Sequence, residues 1–299
     1  MPERVDVPAT LVIGGDGFVG RPMVHRYRFW NAECVGTSRR VARDPSLVFL
    51  DLAKPNLGAG IPDLERFQDA VIVAAEANVG RCENDPERSY QINVRGTLQL
   101  VDQLITAGIR PVFSSSDSVF AGVEGNYAEE DIPEPIIHYG HQKLETEREL
   151  LARTGGTGLV LRYSKIYSLE KGDGSILDEM ATMFACGKQV KAATDQIFCP
   201  LLREDLIRIV ATLQVANARG LVHVCGDEAW SRYDIACRLA EAMALDPAKC
   251  VLPISLSDLG VERPKNIAMI NRRMRSYYRE PMMTIEEAVA AKAAQFRKS

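Results

Sequence analysis

The chain has 299 residues, of which 46% are hydrophobic and 25% charged, a balance typical of a globular protein. Its formal net charge of −4 argues against a general nucleic-acid binder, because such proteins need a basic surface to displace counterions. No apolar run approaches the ~20 residues of a membrane-spanning helix, and the charged start of the chain does not resemble a signal peptide. We therefore expect a cytoplasmic protein without a membrane or nucleic-acid partner.

The seven cysteines and four histidines form no metal-binding or redox motif. The cysteines are scattered at positions 34, 82, 186, 199, 225, 237 and 250, with no C-x-x-C pair. None lies at metal-ligand spacing from a histidine. The pattern predicts buried free thiols in a reducing compartment and no metal site.

Short apolar runs alternate with helical patterns over the first half of the chain. The runs that predict buried strands span residues 9–15, 33–38, 47–52, 70–75, 110–116 and 158–164. Apolar residues recur at helical spacing over 89–108 and 139–155. Strand and helix in alternation indicate a parallel sheet covered on both faces, which is a doubly wound α/β fold.

The alternation loosens after residue 168. Residues 176–187 and 231–245 read as helices, 220–226 as one more core strand, and Thr284 as the cap of a final helix. We expect a dinucleotide-binding domain over 1–168, to which segments near 195–226 return. Residues 169–299 are then expected to form a smaller, interleaved substrate-binding lobe.

The stretch VIGGDGFVG, residues 12–20, contains a glycine-rich turn that can be read in two registers. Gly15, Gly17 and Gly20 spell G-x-G-x-x-G, whereas Gly14, Gly17 and Gly20 spell G-x-x-G-x-x-G. Both registers predict a strand that turns into a helix whose N-terminal N–H groups face a pyrophosphate.

The second strand ends in VGTSRR, where an NAD-binding site usually carries an acidic residue for the ribose 2′-hydroxyl. Ser38, Arg39 and Arg40 instead suit a 2′-phosphate, because a guanidinium offers two charge-assisted hydrogen bonds to phosphate oxygens. A solvated basic loop is the alternative. The sequence favours NADP(H) and leaves NAD(H) open. Asp51 and Leu52, which end the third strand, could line an adenine pocket, although Asp51 could equally be a helix cap.

Three further residues have a spacing that suits hydride-transfer chemistry. Tyr139 and Lys143 lie four residues apart and so project from one helix face. A nearby ammonium favours the phenolate of a tyrosine and can also bind the nicotinamide ribose. Ser116 ends the fifth strand, at the edge where open α/β sheets bind ligands, and could hydrogen-bond a substrate oxygen.

Together these motifs resemble the extended short-chain dehydrogenases/reductases over nearly the full chain. In that family the working register is Gly14, Gly17 and Gly20, and Ser116, Tyr139 and Lys143 match the catalytic residues. The structural asparagine of the family matches Asn93. The resemblance implies that the cofactor is bound by Gly14, Gly17, Phe18, Val19, Gly20, Ser38, Arg39, Arg40, Asp51, Leu52, Ala74, Ala75, Tyr139 and Lys143.

Within the family, the likeness is greatest to the dTDP-4-dehydrorhamnose reductase group. RCENDPERSYQINVRGT, DQIFCP and RPKNIAMIN are among the stretches that carry it. It implies that NADPH reduces a 4-keto group of a nucleotide-linked deoxysugar, while Tyr139 supplies the proton and Ser116 polarises the carbonyl. It also implies substrate contacts from Asp117, Ser118 and Arg263, and a homodimer formed through apolar residues on helices 89–108 and 139–155.

Several positions depart from that group. Ser118 replaces a tyrosine, Lys165 a tryptophan, Phe198 a smaller residue and Leu201 a threonine. These positions face or adjoin the sugar-nucleotide pocket in the family, so the departures bear on the substrate more than on the reductive chemistry.

Two alternative functions stay open. A sugar-nucleotide epimerase shares the same catalytic residues, whereas a 4,6-dehydratase would need Glu in place of Ser118. The regulatory β subunit of methionine adenosyltransferase resembles the same reductases, so a non-catalytic dinucleotide-binding subunit is the other alternative.

Overall fold

Thirteen strands define the sheets in this computed structural model, which describes residues 5–40, 44, 46–61, 63–260 and 262–296. The strands are β1 (Thr10–Ile13), β2 (Cys34–Ser38), β3 (Val48–Phe49), β4 (Asp69–Ile72), β5 (Arg110–Ser116), β6 (Leu159–Tyr163), β7 (Ile166–Tyr167), β8 (Val190–Ala193), β9 (Ile197–Phe198), β10 (Leu201–Leu202), β11 (Gly220–Val224), β12 (Trp230–Ser231) and β13 (Val251–Ile254). Seven of them form one parallel sheet in the order β11-β6-β5-β4-β1-β2-β3.

The large sheet confirms the predicted doubly wound α/β fold. Its seven strands fall within or overlap the seven segments that the sequence predicts as core strands. Strand order reverses between β1 and β4. From β1 the chain continues outward through β2 and β3, whereas from β4 it continues in the other direction through β5 and β6. Such a reversal opens a crevice at the carboxyl ends of the two strands, where ligands of this architecture bind.

Eleven α-helices connect the described strands. They are α1 (Gly20–Phe29), α2 (Val79–Asn84), α3 (Pro86–Tyr90), α4 (Thr97–Thr106), α5 (His138–Arg153), α6 (Ile176–Ala185), α7 (Arg203–Val215), α8 (Arg232–Ala242), α9 (Pro247–Cys250), α10 (Arg272–Tyr277) and α11 (Ile285–Ala294). Thr284 caps α11 as predicted, in a capping box with Glu287.

The helix predicted over 89–108 differs from expectation. It starts earlier, at Pro86, and a wide π-helical turn over Gln91–Gly96 separates α3 from α4. Gly96 shows how closely this turn approaches the third strand's loop, because a Cβ there would lie 1.8 Å from the carbonyl oxygen of Leu52. Periodicity could not reveal this contact, since it joins segments distant in the chain.

The apolar dimer face expected on helices 89–108 and 139–155 is not found among the described residues. On α4, Leu100, Val101 and Leu104 are fully buried against the sheet, and only Ile105 is a strongly exposed large apolar residue. The outer surface of α5 carries mainly charged and polar side chains. The apolar residues that the sequence offered to a dimer are therefore mostly used by the core of one chain.

The smaller lobe has its own hydrophobic core, built mainly from α6, α8, α11 and the parallel pair β8–β13. Met180 and Phe184 of α6 lie in it. The chain interleaves in both directions: Phe120 packs into this core, whereas α7, β11 and Met274 pack with the large sheet. The division at residue 168 stays a prediction, and the ends of both ranges lie outside the described residues.

The cysteine prediction is only partly correct. Cys34, Cys82, Cys199 and Cys225 are buried, but Cys186 is exposed and two others are half-buried. Within the described ranges no cysteines form a disulfide and no side chains group as metal ligands. No helix in this part of the chain is both long and apolar enough to cross a membrane.

Candidate active site

The turn after β1 requires glycine for steric reasons. Gly14 has φ +96°, and a Cβ there would lie 2.9 Å from the backbone nitrogen of Ala74. A Cβ on Gly20 would lie 2.1 Å from the carbonyl oxygen of Gly14. Gly15 has a different task, because its Cβ would lie 2.8 Å from the Cα of Gly36 on the neighbouring strand. Gly14 and Gly20 thus shape the turn, while Gly15 lets two strands approach each other.

The N-terminus of α1 is open to an anion. Its cap residue, Val19, supplies no side-chain hydrogen bond, and the first turn contains no acidic residue. A Cβ on Gly17 would lie 3.3 Å from the carbonyl oxygen of Gly14, a tight contact but far less severe than that at Gly20. Arg21 and Met23 already donate to the carbonyl oxygens of Gly17 and Val19, and Pro22 has no N–H. The positive end of the ten-residue helix dipole still suits a pyrophosphate, which supports the dinucleotide interpretation.

A cleft of about 450 Å³ lies over this turn. It brings together all twelve residues expected to bind the cofactor outside the catalytic set. They are Gly14, Gly17, Phe18, Val19, Gly20, Ser38, Arg39, Arg40, Asp51, Leu52, Ala74 and Ala75. Asp51 also accepts a hydrogen bond from the backbone of Ala53 at 3.0 Å, so it caps a turn as well as lining the cleft.

The two arginines after β2 differ in their surroundings. Arg40 forms an ion pair with Asp16 of the glycine turn, with Nη2 2.6 Å from Oδ2. Arg39 makes no ion pair with the described residues and is the freer of the two. Arg88 of α3 also lines the cleft. No local sequence pattern pointed to Asp16 or Arg88, because their positions depend on how the glycine turn and α3 meet in the fold.

A second cavity, of about 360 Å³, continues from the first along the sheet edge. The two share wall residues, among them Val19, Val73 and Ala75. The cavity brings together every residue expected to act on substrate. They are Ser116, Asp117, Ser118, Tyr139, Lys143 and Arg263.

Tyr139 and Lys143 project from the first turns of α5 towards the end of β5. The ammonium of Lys143 lies 5.7 Å from the ring centroid of Tyr139 and donates a hydrogen bond to the carbonyl oxygen of Ser114 at 2.7 Å. The Ser116 hydroxyl donates to Asp117 Oδ1 at 3.0 Å and accepts from the backbone nitrogen of Ser118 at 3.1 Å. The three predicted catalytic groups therefore face one space.

Burial is the largest cause of the pKa shifts of Lys143 and Tyr139. It lowers the pKa of Lys143 to about 8, although the Glu147 carboxylate opposes the shift. Burial also raises the pKa of Tyr139, and the charge of Asp117 adds to this, while the nearby Ser116 hydroxyl opposes it. Lys143 is not among the causes of this shift, so its expected effect on the phenolate stays a prediction. Tyr139 is held as a phenol, the form that donates a proton.

Asp117 is an unusual neighbour for Ser116. Burial raises the pKa of its carboxyl to about 6, against hydrogen bonding from Ser116 and Ser164 and the charge of Lys165. A carboxyl with a pKa near 6 changes charge close to neutral pH. It can therefore influence both the serine and the ligand beside it.

A buried polar network holds α5 against the sheet beneath the catalytic residues. Glu147 and Arg162 form a two-pronged ion pair, with Nη2 2.8 Å from Oε2. Ser115 also hydrogen-bonds Glu147. Asn93, from the π-helical turn, bonds both the backbone of Glu76 and the side chain of Gln142. Asn93 therefore ties the end of β4 to α5, in agreement with its expected structural role.

Lys165, which the sequence singles out only as a departure from the family, lines the catalytic cavity without an expected role. It lies two residues after the end of β6, near Tyr163, Ser164 and Arg263 in the cavity lining. The rule that ligands bind at the carboxyl ends of strands could have identified it, because Lys165 is the second residue after β6.

Comparisons with known proteins agree with this geometry. Residues 9–298 match the family described as "RmlD substrate binding domain". The chain is 30% identical over 277 residues to methionine adenosyltransferase 2 subunit beta of Pongo abelii, covering 88% of this chain and 81% of that one.

Two solved structures show the same fold. A hypothetical dTDP-4-dehydrorhamnose reductase from Sulfolobus tokodaii superposes with a TM-score of 0.79 at 25% identity, covering 93% of this chain and 98% of that one. The dTDP-4-dehydrorhamnose reductase of Bacillus anthracis, in complex with NADP, gives a TM-score of 0.80 at 19% identity, covering 97% and 100%. The chain belongs to the RmlD substrate-binding-domain family, within the extended short-chain dehydrogenase/reductase fold.

Proposed function

We propose that the protein is an NADPH-dependent reductase of a 4-keto group on a nucleotide-linked sugar. The observation that carries the proposal is the single cavity in which Ser116, Tyr139 and Lys143 meet, continuous with the cleft over the glycine turn. A nicotinamide bound in that cleft would supply a hydride to the carbonyl carbon. Similar structures of this fold are described in complex with NADP, or with NAD and UDP-glucuronic acid.

The residues of this chain have separate tasks in the reduction. Ser116 hydrogen-bonds the carbonyl oxygen and stabilises the negative charge that develops as the carbon gains hydride. The Tyr139 phenol transfers its proton to that oxygen, so the ketone becomes an alcohol and the tyrosine a phenolate. The Lys143 ammonium then stabilises the phenolate until solvent returns the proton.

NADPH is the proposed cofactor for two reasons. Ser38 and Arg39 line the cleft, and the second strand carries no acidic residue that could accept a hydrogen bond from a ribose 2′-hydroxyl. Arg39 is the main proposed phosphate ligand, since Arg40 is already paired with Asp16. NAD remains the alternative cofactor.

The test is NADPH oxidation, followed by absorbance, on a panel of 4-keto sugar nucleotides: the 6-deoxy forms prepared from dTDP-glucose and UDP-glucose with a 4,6-dehydratase, and the 4-keto form of UDP-glucuronic acid. Turnover that Tyr139→Phe abolishes is expected. Interconversion of sugar epimers without net NADPH oxidation would replace the proposal with the epimerase alternative.

A non-catalytic subunit is the second candidate, favoured by the curated relatives named methionine adenosyltransferase 2 subunit beta. It predicts NADPH binding without turnover, and co-elution with a catalytic methionine adenosyltransferase in size-exclusion chromatography. Turnover with any keto-sugar nucleotide and no co-elution would exclude this role.

We also propose a cytoplasmic homodimer, on the family resemblance alone. Light scattering at micromolar concentration is expected to give twice the chain mass of 33.0 kDa. A monomer mass would contradict the dimer, in keeping with the mostly polar outer surfaces of α4 and α5.

A further inference from the structure

Lys165 is held at a fixed place in the wall of the catalytic cavity. Tyr163, two residues before it, is the register neighbour of Ser116 in the adjacent strand. The carbonyl oxygen of Lys165 accepts a hydrogen bond from the backbone of Leu201 at 2.9 Å, and the next two residues form β7, which pairs with β10. The backbone of Lys165 is thus held between β6 before it and β7 after it, next to the strand end that carries Ser116.

The Lys165 ammonium makes no hydrogen bond or ion pair with the described residues. The side chain is exposed to the open cavity, yet the protein atoms packed around it still desolvate the ammonium and lower its pKa; Arg232 adds to this, whereas Asp117 and Glu179 oppose it. Neither carboxylate is a direct partner: Glu179 pairs with Arg232 at 3.1 Å, and Asp117 accepts from Ser116. An unpaired cation in a cavity wall is a group that can bind an anionic ligand.

Positive charge exceeds negative charge in this cavity. Its lining holds three basic side chains, Lys143, Lys165 and Arg263, against the single carboxylate of Asp117. Lys143 has a carbonyl partner and a nearby carboxylate. Arg263, by contrast, has a buried Nε without a hydrogen-bond partner. Two cations, Lys165 and Arg263, are therefore free to meet negative charge on a substrate.

The two free cations occupy different parts of the site. Arg263 borders both the catalytic cavity and a neighbouring groove of about 530 Å³, whose lining does not include Lys165. A diphosphate, which links sugar to nucleoside, fits the position of Arg263 between the two spaces. Lys165 lines only the catalytic cavity, with Ser116 and Tyr139, where the reacting sugar would lie.

We propose that Lys165 makes the cavity selective for a keto-sugar nucleotide whose sugar carries a carboxylate, in addition to the diphosphate bound near Arg263. This inference rests on the proposed function, because it assumes that a nucleotide sugar occupies the cavity. A carboxylate is small enough for a cavity of about 360 Å³. The compact ammonium of lysine can neutralise it as a single point charge.

The test compares two ligands that differ only at C6 of the sugar, glucose and glucuronic acid, each linked to UDP and, in parallel, to dTDP. Their affinities for the full chain saturated with NADP⁺ are measured by isothermal titration calorimetry. We expect the glucuronic acid form to bind at least ~10-fold more tightly, the range of one charge-assisted hydrogen bond. In Lys165→Met this ratio falls to about one, whereas Lys188→Met, at an exposed lysine outside the cavity, keeps it.

The other outcomes distinguish failure of this inference from failure of the proposed function. Equal affinities of the unsubstituted protein for both forms overturn the inference without any variant, so it does not depend on the variant folding. Equal weakening of both forms by Lys165→Met also overturns it, since Lys165 would then bind the diphosphate. If neither form binds with either nucleotide, the proposed function itself fails.

Discussion

The guanidinium of Arg40 is held by the carboxylate of Asp16, with Nη2 2.6 Å from Oδ2 and Nε 2.8 Å from the same oxygen. This pair spans the cleft entrance between the glycine turn and the loop after β2. Arg40 is therefore already paired, which leaves Arg39 as the arginine without an ion-pair partner for a 2′-phosphate among the described residues. The carboxylate also places negative charge where that phosphate would bind.

The first prediction follows from this pairing. Arg39→Ala is expected to weaken NADPH binding ~10-fold with little effect on NADH, because it removes a charge-assisted hydrogen bond. Arg40→Ala should cost less, since Arg40 already satisfies Asp16. Asp16→Asn, which frees Arg40, should tighten NADPH binding. Calorimetric titration with both cofactors measures all three, and equal losses in the two alanine variants would contradict the assignment.

A second prediction concerns the proton donor. Tyr139→Phe removes only the phenolic hydroxyl and is expected to lower kcat by ~10²–10⁴-fold, the usual range for a general acid. NADPH affinity should change little, because the ring that packs beside Lys143 remains. Single-turnover NADPH oxidation together with calorimetry separates the two effects. Retained turnover would assign the proton to another group.

The third prediction uses the charge of Lys143. Its pKa of about 8 means that the ammonium is lost as the pH rises through that value, so kcat/KM should fall on the alkaline side. Glu147→Gln removes a carboxylate that raises this pKa, so the alkaline limb should move to lower pH. The pH profiles of both proteins provide the measurement. An unchanged limb would show that Glu147 acts only through folding.

Glu147→Gln has a structural effect as well, because the carboxylate lies in a buried ion pair with Arg162. Breaking such a pair typically costs ~3–5 kcal/mol. Denaturant unfolding should show this loss. Lys143→Met, which leaves the pair intact, serves as the comparison for stability.

Much of the site followed from local sequence patterns. Gly20 is required by a contact with Gly14 within one turn, and Tyr139 and Lys143 share a face because of helix geometry. Ser116 was identifiable because it ends a strand. For such residues the physical cause lies within a few positions along the chain.

The remaining features depend on contacts between distant segments. The Asp16–Arg40 pair joins positions 24 apart, and Gly96 meets Leu52. Similarly, Tyr139 stays a phenol because burial in the folded protein raises its pKa by more than the Ser116 hydroxyl lowers it. Periodicity and motif spacing carry no information on such contacts or on burial.

A fourth prediction concerns Asp117, whose carboxyl is harder to ionise in the folded chain, where its pKa is about 6, than at the ordinary value of 3.8. The folded state therefore keeps the proton to higher pH than the unfolded state. The free energy of unfolding should consequently fall as the pH rises through this interval. The cost at neutral pH is on the order of 2–3 kcal/mol.

Asp117→Asn should remove this pH dependence and stabilise the protein above about pH 6. The amide oxygen still accepts the hydrogen bond from Ser116, so the local geometry is retained. Urea unfolding on both sides of that pH, on both proteins, is the measurement. Parallel pH dependences would show that Asp117 is already compensated in the folded state.

The final prediction separates packing from cofactor binding within the glycine turn. Gly20→Ala places a Cβ 2.1 Å from the carbonyl oxygen of Gly14, a backbone atom that cannot move cheaply. We expect lower stability, seen as a reduced melting temperature without any ligand. Gly17→Ala places its Cβ 3.3 Å from the same oxygen, a tight contact that a small shift can relieve, so the loss of stability should be smaller than in Gly20→Ala.

Gly17→Ala should instead weaken dinucleotide binding, because a methyl group at this position would keep the pyrophosphate from the N–H groups at the start of α1. Thermal melting without ligand, followed by NADPH titration, distinguishes the two substitutions. If Gly17→Ala binds NADPH as the unsubstituted protein does, the pyrophosphate does not lie over this turn. The cleft would then need another ligand, since every residue assigned to the cofactor is placed relative to that contact.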